Sequence, residues 1–219
     1  MTDDDLAEAA RRFEHAPPGQ VLRWAGETFG DDLVVAAAMT LDVVLVDLAA
    51  RAVPDVQVVF LDTYEHFPET MATAAEVERR YPIRLRRMVP DAADVVERQY
   101  LTDPNACCHA RKVVPLERAL AGRKAWVTGM RRVDAATRTE IPVVQRDKRG
   151  LVKINPIASW TDDDVAAYAA EHDVPLNPLL RQGYPSIGCA PCTRRVAEGE
   201  DGRAGRWAGQ GKTECGLHV

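Results

Sequence analysis

The sequence predicts an α/β domain built on a mostly parallel sheet with helices on both faces. Three observations carry that expectation. Residues 33–38 are a short, unbroken apolar run of the kind found in strands buried on both faces, and residues 56–61 read as the next buried strand. Each run is followed by a segment of helical character. Strand and helix then keep alternating to about residue 128, the order that builds a parallel sheet.

The elements follow in order. Residues 4–14 read as a short helix, and Pro17 and Pro18 start a second that runs to Phe29 and stops at Gly30. The first strand leads into a helix over about 40–52, closed by Pro54. The second precedes a helix over 68–80 with proline in its first turn. Residues 83–89 alternate apolar and basic side chains, which suggests a strand nearer an edge. Helices are expected over about 91–100 and 108–121, then a strand over 124–128 ended by Gly129. Thr161 and Asp164 form a capping box that opens a last helix to about His172. Pro175, Pro178, Pro185 and Pro191 punctuate irregular chain, and the final 21 residues hold six of the fourteen glycines. The expected organisation is a domain over 1–197 and a flexible tail over 198–219.

Composition narrows the function classes. A chain of 219 residues with 46% hydrophobic and 28% charged residues is an ordinary globular protein. No apolar run reaches 18 residues, and the acidic start from Met1 to Asp5 is not an export signal, so the expectation is a cytoplasmic protein without a membrane partner. A net charge of −5 argues against a nucleic-acid partner. Basic residues gather late in the chain, among them Arg131, Arg138, Lys153, Arg203 and Arg206. They suit a local pocket for a small anion, and a solvated rim is the competing reading. A homo-oligomer is compatible with the sequence.

The five cysteines are Cys107, Cys108, Cys189, Cys192 and Cys215. An odd count argues against a disulfide framework and leaves metal binding, catalysis or burial. Cys189 and Cys192 form a C-x-x-C pair, a frequent metal half-site that is equally a redox pair. The Cys107–Cys108 pair stands 80 residues earlier. Adjacent Cα atoms lie ~3.8 Å apart, so a disulfide between them is strained. With Asn105 as N-cap, both fall in a first helical turn, where the dipole favours thiolates. Side chains at consecutive helical positions diverge by about 100°, which a cluster of several irons spans more easily than one zinc ion. Simple burial of four small apolar groups is the bland alternative. Cys215 sits in a glycine-rich terminus with Arg203, Arg206, Lys212 and His218 nearby in sequence. It reads as an exposed, mobile nucleophile, against the alternative of a spare terminal cysteine.

A nucleotide-like site is a third expectation. Residues 33–42 run from a buried strand through small residues into a helix, where backbone amides around Ala38 can hold phosphate, although without a glycine-rich consensus or Walker lysine a plain strand–helix junction is the stronger reading of these residues alone. Arg131, Arg132 and Arg138 follow a strand's carboxyl end and can clamp phosphate or sulfate. Asp62 follows the second strand, placed either to contact a ribose or base or to cap the next turn.

Several of these segments resemble one family. They are Cys107-Cys108-His-Ala-Arg-Lys112, VTGMRRVDAATR over 127–138, YPSIGCAPCTR over 184–194, the terminal ECGLH over 214–218, and the weaker LDTYEHFPET over 61–70. Together they are similar to the adenosine 5′-phosphosulfate (APS) reductases. The resemblance implies a PP-loop adenine-nucleotide-binding fold over 1–197, with a mobile tail carrying the catalytic cysteine. It implies a 4Fe–4S cluster on Cys107, Cys108, Cys189 and Cys192, with Lys112 beside it. It puts Arg203 and Arg206, the latter followed by Trp207, against substrate, and makes Cys215 the nucleophile. The implied substrate-binding set is Lys112, Arg131, Arg138, Arg203, Arg206, Trp207, His218, Ala38 and Asp62. The implied reaction reduces APS to sulfite and AMP through an S-sulfocysteine, with thioredoxin or a similar dithiol as reductant, in sulfate assimilation and cysteine biosynthesis. Relatives that reduce the 3′-phosphorylated substrate (PAPS) usually lack both cysteine pairs. A metal-free PAPS reductase, a zinc-bearing enzyme that modifies tRNA and a non-enzymatic redox sensor are the rivals. The chain departs from the family pattern at Ala38, where serine is typical, and at Tyr64, where glycine is usual.

Overall fold

The computed structural model describes residues 1–217. Its helices are α1 (Asp3–Phe13), α2 (Pro18–Phe29), α3 (Val43–Ala52), α4 (Pro68–Arg80), α5 (Pro104–Cys108), α6 (Val114–Leu120) and α7 (Asp162–Glu171). The strands are β1 (Leu33–Ala37), β2 (Gln57–Leu61), β3 (Arg84–Met88), β4 (Ala125–Thr128), β5 (Val144–Arg146) and β6 (Val152–Ile154). They form one sheet in the order β3-β2-β1-β4-β6-β5. All neighbours are parallel except β5 with β6. The expected α/β architecture therefore holds, with β3 at an edge.

Alternate residues of β1, β2 and β4 feed two cores, as strand periodicity dictates. Leu33, Val35, Val58, Phe60 and Val127 pack on one face against α1, α2, α3, α4 and α7. Val34, Val59 and Trp126 pack on the other against Leu116, Ala119 and Leu120 of α6. Leu217 of the tail joins this second cluster.

Four sequence expectations need correction. The helix over 91–100 is absent. The segment holds only 3-10 turns at Ala92–Asp94 and Gln99–Leu101, because its apolar residues find no core and Val96 stays exposed. The helix over 40–52 starts later, at Val43, because the Asp42 carboxylate takes the amides of Ala38 and Thr40 into a turn. The expected N-cap Asn105 is inside its helix, and Asp103 caps it instead, accepting from the amides of Asn105 and Ala106. The helix over 108–121 is two helices joined by a π turn at His109–Val113. Pro115 has no N–H to give the carbonyl four residues back, and its ring crowds that carbonyl, so the ladder widens. Strands β5 and β6 were not foreseen from the sequence.

Candidate active site

The carboxyl ends of β1, β2 and β4 open into a cleft of about 400 Å³. Its floor comes from the three post-strand segments that sequence order pointed to: Ala38–Asp42, Thr63 with His66, and Gly129–Arg138. Its roof is the irregular chain after α7, from Pro185 to Gly188, together with the tail from Asp201 to Leu217. Gly129 lets floor and helix meet, since a Cβ there would stand 2.9 Å from the Cβ of Asp42.

Cations converge on this cleft. Lys112, Arg131, Arg138, Arg203 and Arg206 all line it, and so does Cys215. Lys112 is buried at the π turn. Burial alone would lower its pKa, but the sulfurs of Cys189, Cys215 and Cys108 outweigh that and hold it above the ordinary lysine value. Burial depresses Arg206, and neighbouring Arg203 adds to the effect. Arg206 donates to the Ser186 hydroxyl and the Ile187 carbonyl, both at 3.2 Å, and stacks on Trp207 with its guanidinium carbon 4.4 Å from the ring centre. Its Nε is buried without a partner. Arg131 is held by Asp134 and Asp162, with Nη1 buried and unpaired.

The tail reaches over these groups. Glu214, next to Cys215, receives Arg138 Nη2 on both carboxylate oxygens at 2.8 and 2.9 Å, and Arg203 at 3.4 Å. Arg203 also donates to the Thr213 carbonyl at 2.8 Å. Thr193 and Arg206 form a β-bridge, and Trp207 donates its amide to the Cys192 carbonyl at 2.9 Å. Gly216, with φ of +86°, turns the chain so that Leu217 enters the apolar cluster.

Cys107, Cys108, Cys189 and Cys192 line a second, small cavity behind the cleft. Lys112, Arg206 and Trp207 border both spaces and form the partition. The C-x-x-C loop is fixed by Ala190 donating to the Glu65 carbonyl at 2.7 Å and by a Thr63 Oγ1 to Cys189 Sγ contact of 3.4 Å. Burial raises the Cys107 thiol, and burial with neighbouring Cys189 pushes Cys192 up to about 11. At Cys107, burial thus overrides the expected helix-dipole stabilisation of the thiolate. Among the described residues, no three His, Cys, Asp or Glu side chains are arranged to hold one metal ion.

Other expected residues divide. Ala38 lies at the cleft, but its amide donates to Asp42 at 2.5 Å. Asp62 is not part of the cleft wall, and its carboxylate accepts from the Tyr64 amide at 3.0 Å, closing a turn in which Tyr64 has φ of +61°. Arg132 turns away to Glu14 on the chain after α1. His218 lies outside the described residues. Sequence reasoning missed Glu214 and Arg111. Arg111 is buried beside the cysteine cavity, donating to the Thr63 carbonyl at 2.7 Å and facing Glu65 at 3.3 Å. Glu214 stands in the ECGLH segment and Arg111 in Cys107–Lys112, and their charge in those segments is the available signal.

A family model described as the phosphoadenosine phosphosulfate reductase domain matches residues 33–195, which take in both cysteine pairs and the cleft floor. The chain belongs to the phosphoadenosine phosphosulfate reductase family. Family relatives include the adenosine 5′-phosphosulfate reductase of Streptomyces coelicolor, 53% identical over 97% of this chain and 93% of that protein. Another is the adenosine 5′-phosphosulfate reductase of Mycobacterium tuberculosis, 47% identical over 100% of this chain and 97% of that protein. Among solved structures, the PAPS reductase of Candida auris in a phosphate complex superposes with a TM-score of 0.79 at 28% identity, covering 90% of this chain and 98% of that one. Candida glabrata FMN adenylyltransferase, at 14% identity and a TM-score of 0.62 over 89% of this chain and 68% of that one, shares the fold.

Proposed function

We propose that this reductase converts APS to sulfite and AMP, using thioredoxin or a similar dithiol as reductant. The observation that carries the reading is that Cys215 lines the same cleft as Lys112, Arg138, Arg203 and Arg206. Full-length relatives named for APS, at about half identity, support the choice of substrate.

The adenosine lies over the carboxyl ends of β1, β2 and β4, where ligands of open α/β sheets sit. The phosphosulfate lies among the four cations and displaces Glu214 from Arg138, and the cations offset charge developing on the leaving phosphate. Cys215 thiolate attacks the sulfate sulfur. The sulfur–oxygen bond to the phosphate breaks, AMP leaves with the bonding pair, and S-sulfocysteine remains. A reductant thiolate then attacks the Cys215 sulfur, and sulfite leaves with the electron pair of the broken S–S bond. The second reductant thiol resolves the mixed disulfide and restores Cys215. The tail over 198–217 swings between the cleft and the reductant, a movement its glycines allow. A dithiol of this kind places the reaction in the cytoplasm.

The four cysteines fit a 4Fe–4S cluster. They are soft donors around one cavity, with burial raising the Cys107 and Cys192 thiols, and no three of the described side chains are arranged for a single ion. A cubane asks for one sulfur per iron, not for convergence. Bound there, it would tie the C-x-x-C loop to α5 and add its field beside Lys112. Lys112, Arg206 and Trp207 meanwhile keep that nest apart from substrate.

The test is sulfite release by anaerobically purified protein with thioredoxin, APS against PAPS, with the visible spectrum of the same sample. A brown protein that prefers APS is expected, and Cys215→Ser should release no sulfite. Sulfite from that variant would sink the nucleophile assignment, and a colourless protein that prefers PAPS would sink the cluster and the substrate together.

A further inference from the structure

A third cavity, about 180 Å³ in volume, lies under the β5–β6 hairpin, and Trp126 is a wall of both it and the cleft. Strand pairing creates it. Trp126 and Gln145 are the cross-strand partners of Lys153, so the three side chains share one face of the sheet. Helix α6 packs on that face against Trp126, Val34 and Val59. Lys153 is nevertheless only 3% exposed.

The donors and acceptors around it do not balance. Asp147 is fully engaged, accepting from the amides of Arg149 and Leu151 on one oxygen and from Trp126 Nε1 and Arg149 Nη1 on the other. Arg146 is turned outward to Asp3 and the Met1 carbonyl. Arg149 keeps Nε and Nη2 buried without a partner. Those two nitrogens form the guanidinium edge that grips an oxyanion bidentately. Lys153 Nζ makes no hydrogen bond among the described residues and lies 5.3 Å from the Trp126 ring centre. Burial lowers Lys153 to about 8, with Asp147 opposing and Arg138 and Arg149 adding to the shift. Two unpartnered guanidinium nitrogens and an ammonium without a hydrogen bond, on side chains that line one cavity, are costly unless an acceptor completes them.

We infer that this cavity binds a tetrahedral oxyanion of the phosphate or sulfate class, held by Lys153 Nζ and by the Nε–Nη2 edge of Arg149. Three donors arriving from two directions match several oxygens on one centre, and the volume exceeds the ~30 Å³ share of one water several-fold. The oxyanion is either a free ion or the phosphate of a nucleotide.

Acetylation of Lys153 in the full-length, cluster-loaded protein reads the site directly, by peptide mass spectrometry. A lysine with a depressed pKa acylates readily, and a bound oxyanion restores its proton. Millimolar inorganic phosphate is therefore expected to slow labelling by about tenfold or more. Arg149→Met should abolish the protection while Lys153 stays reactive, and Arg149→Lys, which keeps the charge and loses the fork, should do the same if the methionine variant misfolds. Protection by AMP at lower concentration than by inorganic phosphate assigns the ligand as a nucleotide phosphate. The reverse order assigns a free oxyanion. Labelling unchanged by either compound, or protection that survives both Arg149 variants, overturns the proposal.

Discussion

Replacing Lys153 by methionine should stabilise the protein at neutral pH. The folded chain holds this lysine at about 8 against an ordinary 10.5, so the buried ammonium opposes folding below pH 8. A gap of 2.5 units (10.5 − 8) is ~3 kcal/mol at ~1.36 kcal/mol per unit. Methionine fills a similar volume but gives up the contact of the ammonium with the Trp126 face, ~0.5–1 kcal/mol. The expected net gain at pH 7 is ~2 kcal/mol. The sign follows from proton counting. Between pH 8 and 10.5 the unfolded lysine keeps a proton that the folded one has released, so the wild-type protein gains stability relative to the variant as pH rises. The difference should shrink through that window and vanish above it. Urea unfolding of both proteins, anaerobic and equally loaded, measures it at each pH. Phosphate should narrow the gap at pH 7 by binding only the wild type. A difference that stays flat with pH, or a variant less stable throughout, would refute the account of Lys153 as an uncompensated buried charge.

Gly188→Ala would put a Cβ 2.6 Å from Cζ of Arg206. The guanidinium must move, and kcat/KM for APS should fall about 10- to 100-fold, the worth of one charged contact; steady-state kinetics equal to wild type would exclude Arg206 from the substrate. Glu214→Gln removes the charge that Arg138 and Arg203 hold, so trypsin should cut at Lys212 several-fold faster in the substrate-free protein; unchanged cleavage would mean that this contact does not hold the tail. Asp103→Ala takes the cap from α5 and should lower stability by ~1 kcal/mol while the visible chromophore bleaches faster with a chelator. An unaltered urea midpoint would count against that role.

The parallel sheet was legible because β1, β2 and β4 are predominantly apolar segments whose burial needs both faces covered. Strands β5 and β6 were not. Each is three residues long, and β6 carries Lys153 at its centre, so neither periodicity nor composition marks them. The cysteines and the five cleft cations were legible through motif and charge. Glu214 was not, because its partners Arg138 and Arg203 lie 76 and 11 positions away in sequence and meet it only once the tail folds back. Asp103 before Pro104 was a readable helix start that a nearer Asn105 obscured.

The π turn between α5 and α6 acts as a phase setting. Cys107 and Cys108 stand on one side of it, and Leu116, Ala119 and Leu120, which anchor the helix to the sheet, stand on the other. The extra width of the turn fixes the angle at which the cysteine end meets the anchored end, with Lys112 carried at the join. Pro115, which lines neither cavity, forces that width. An alanine there would offer the missing amide and let the helix regain its regular pitch. The thiols and Lys112 would then turn together against a sheet that stayed still. The alignment of the sulfur nest with the substrate cleft is thus geared through a residue that touches neither.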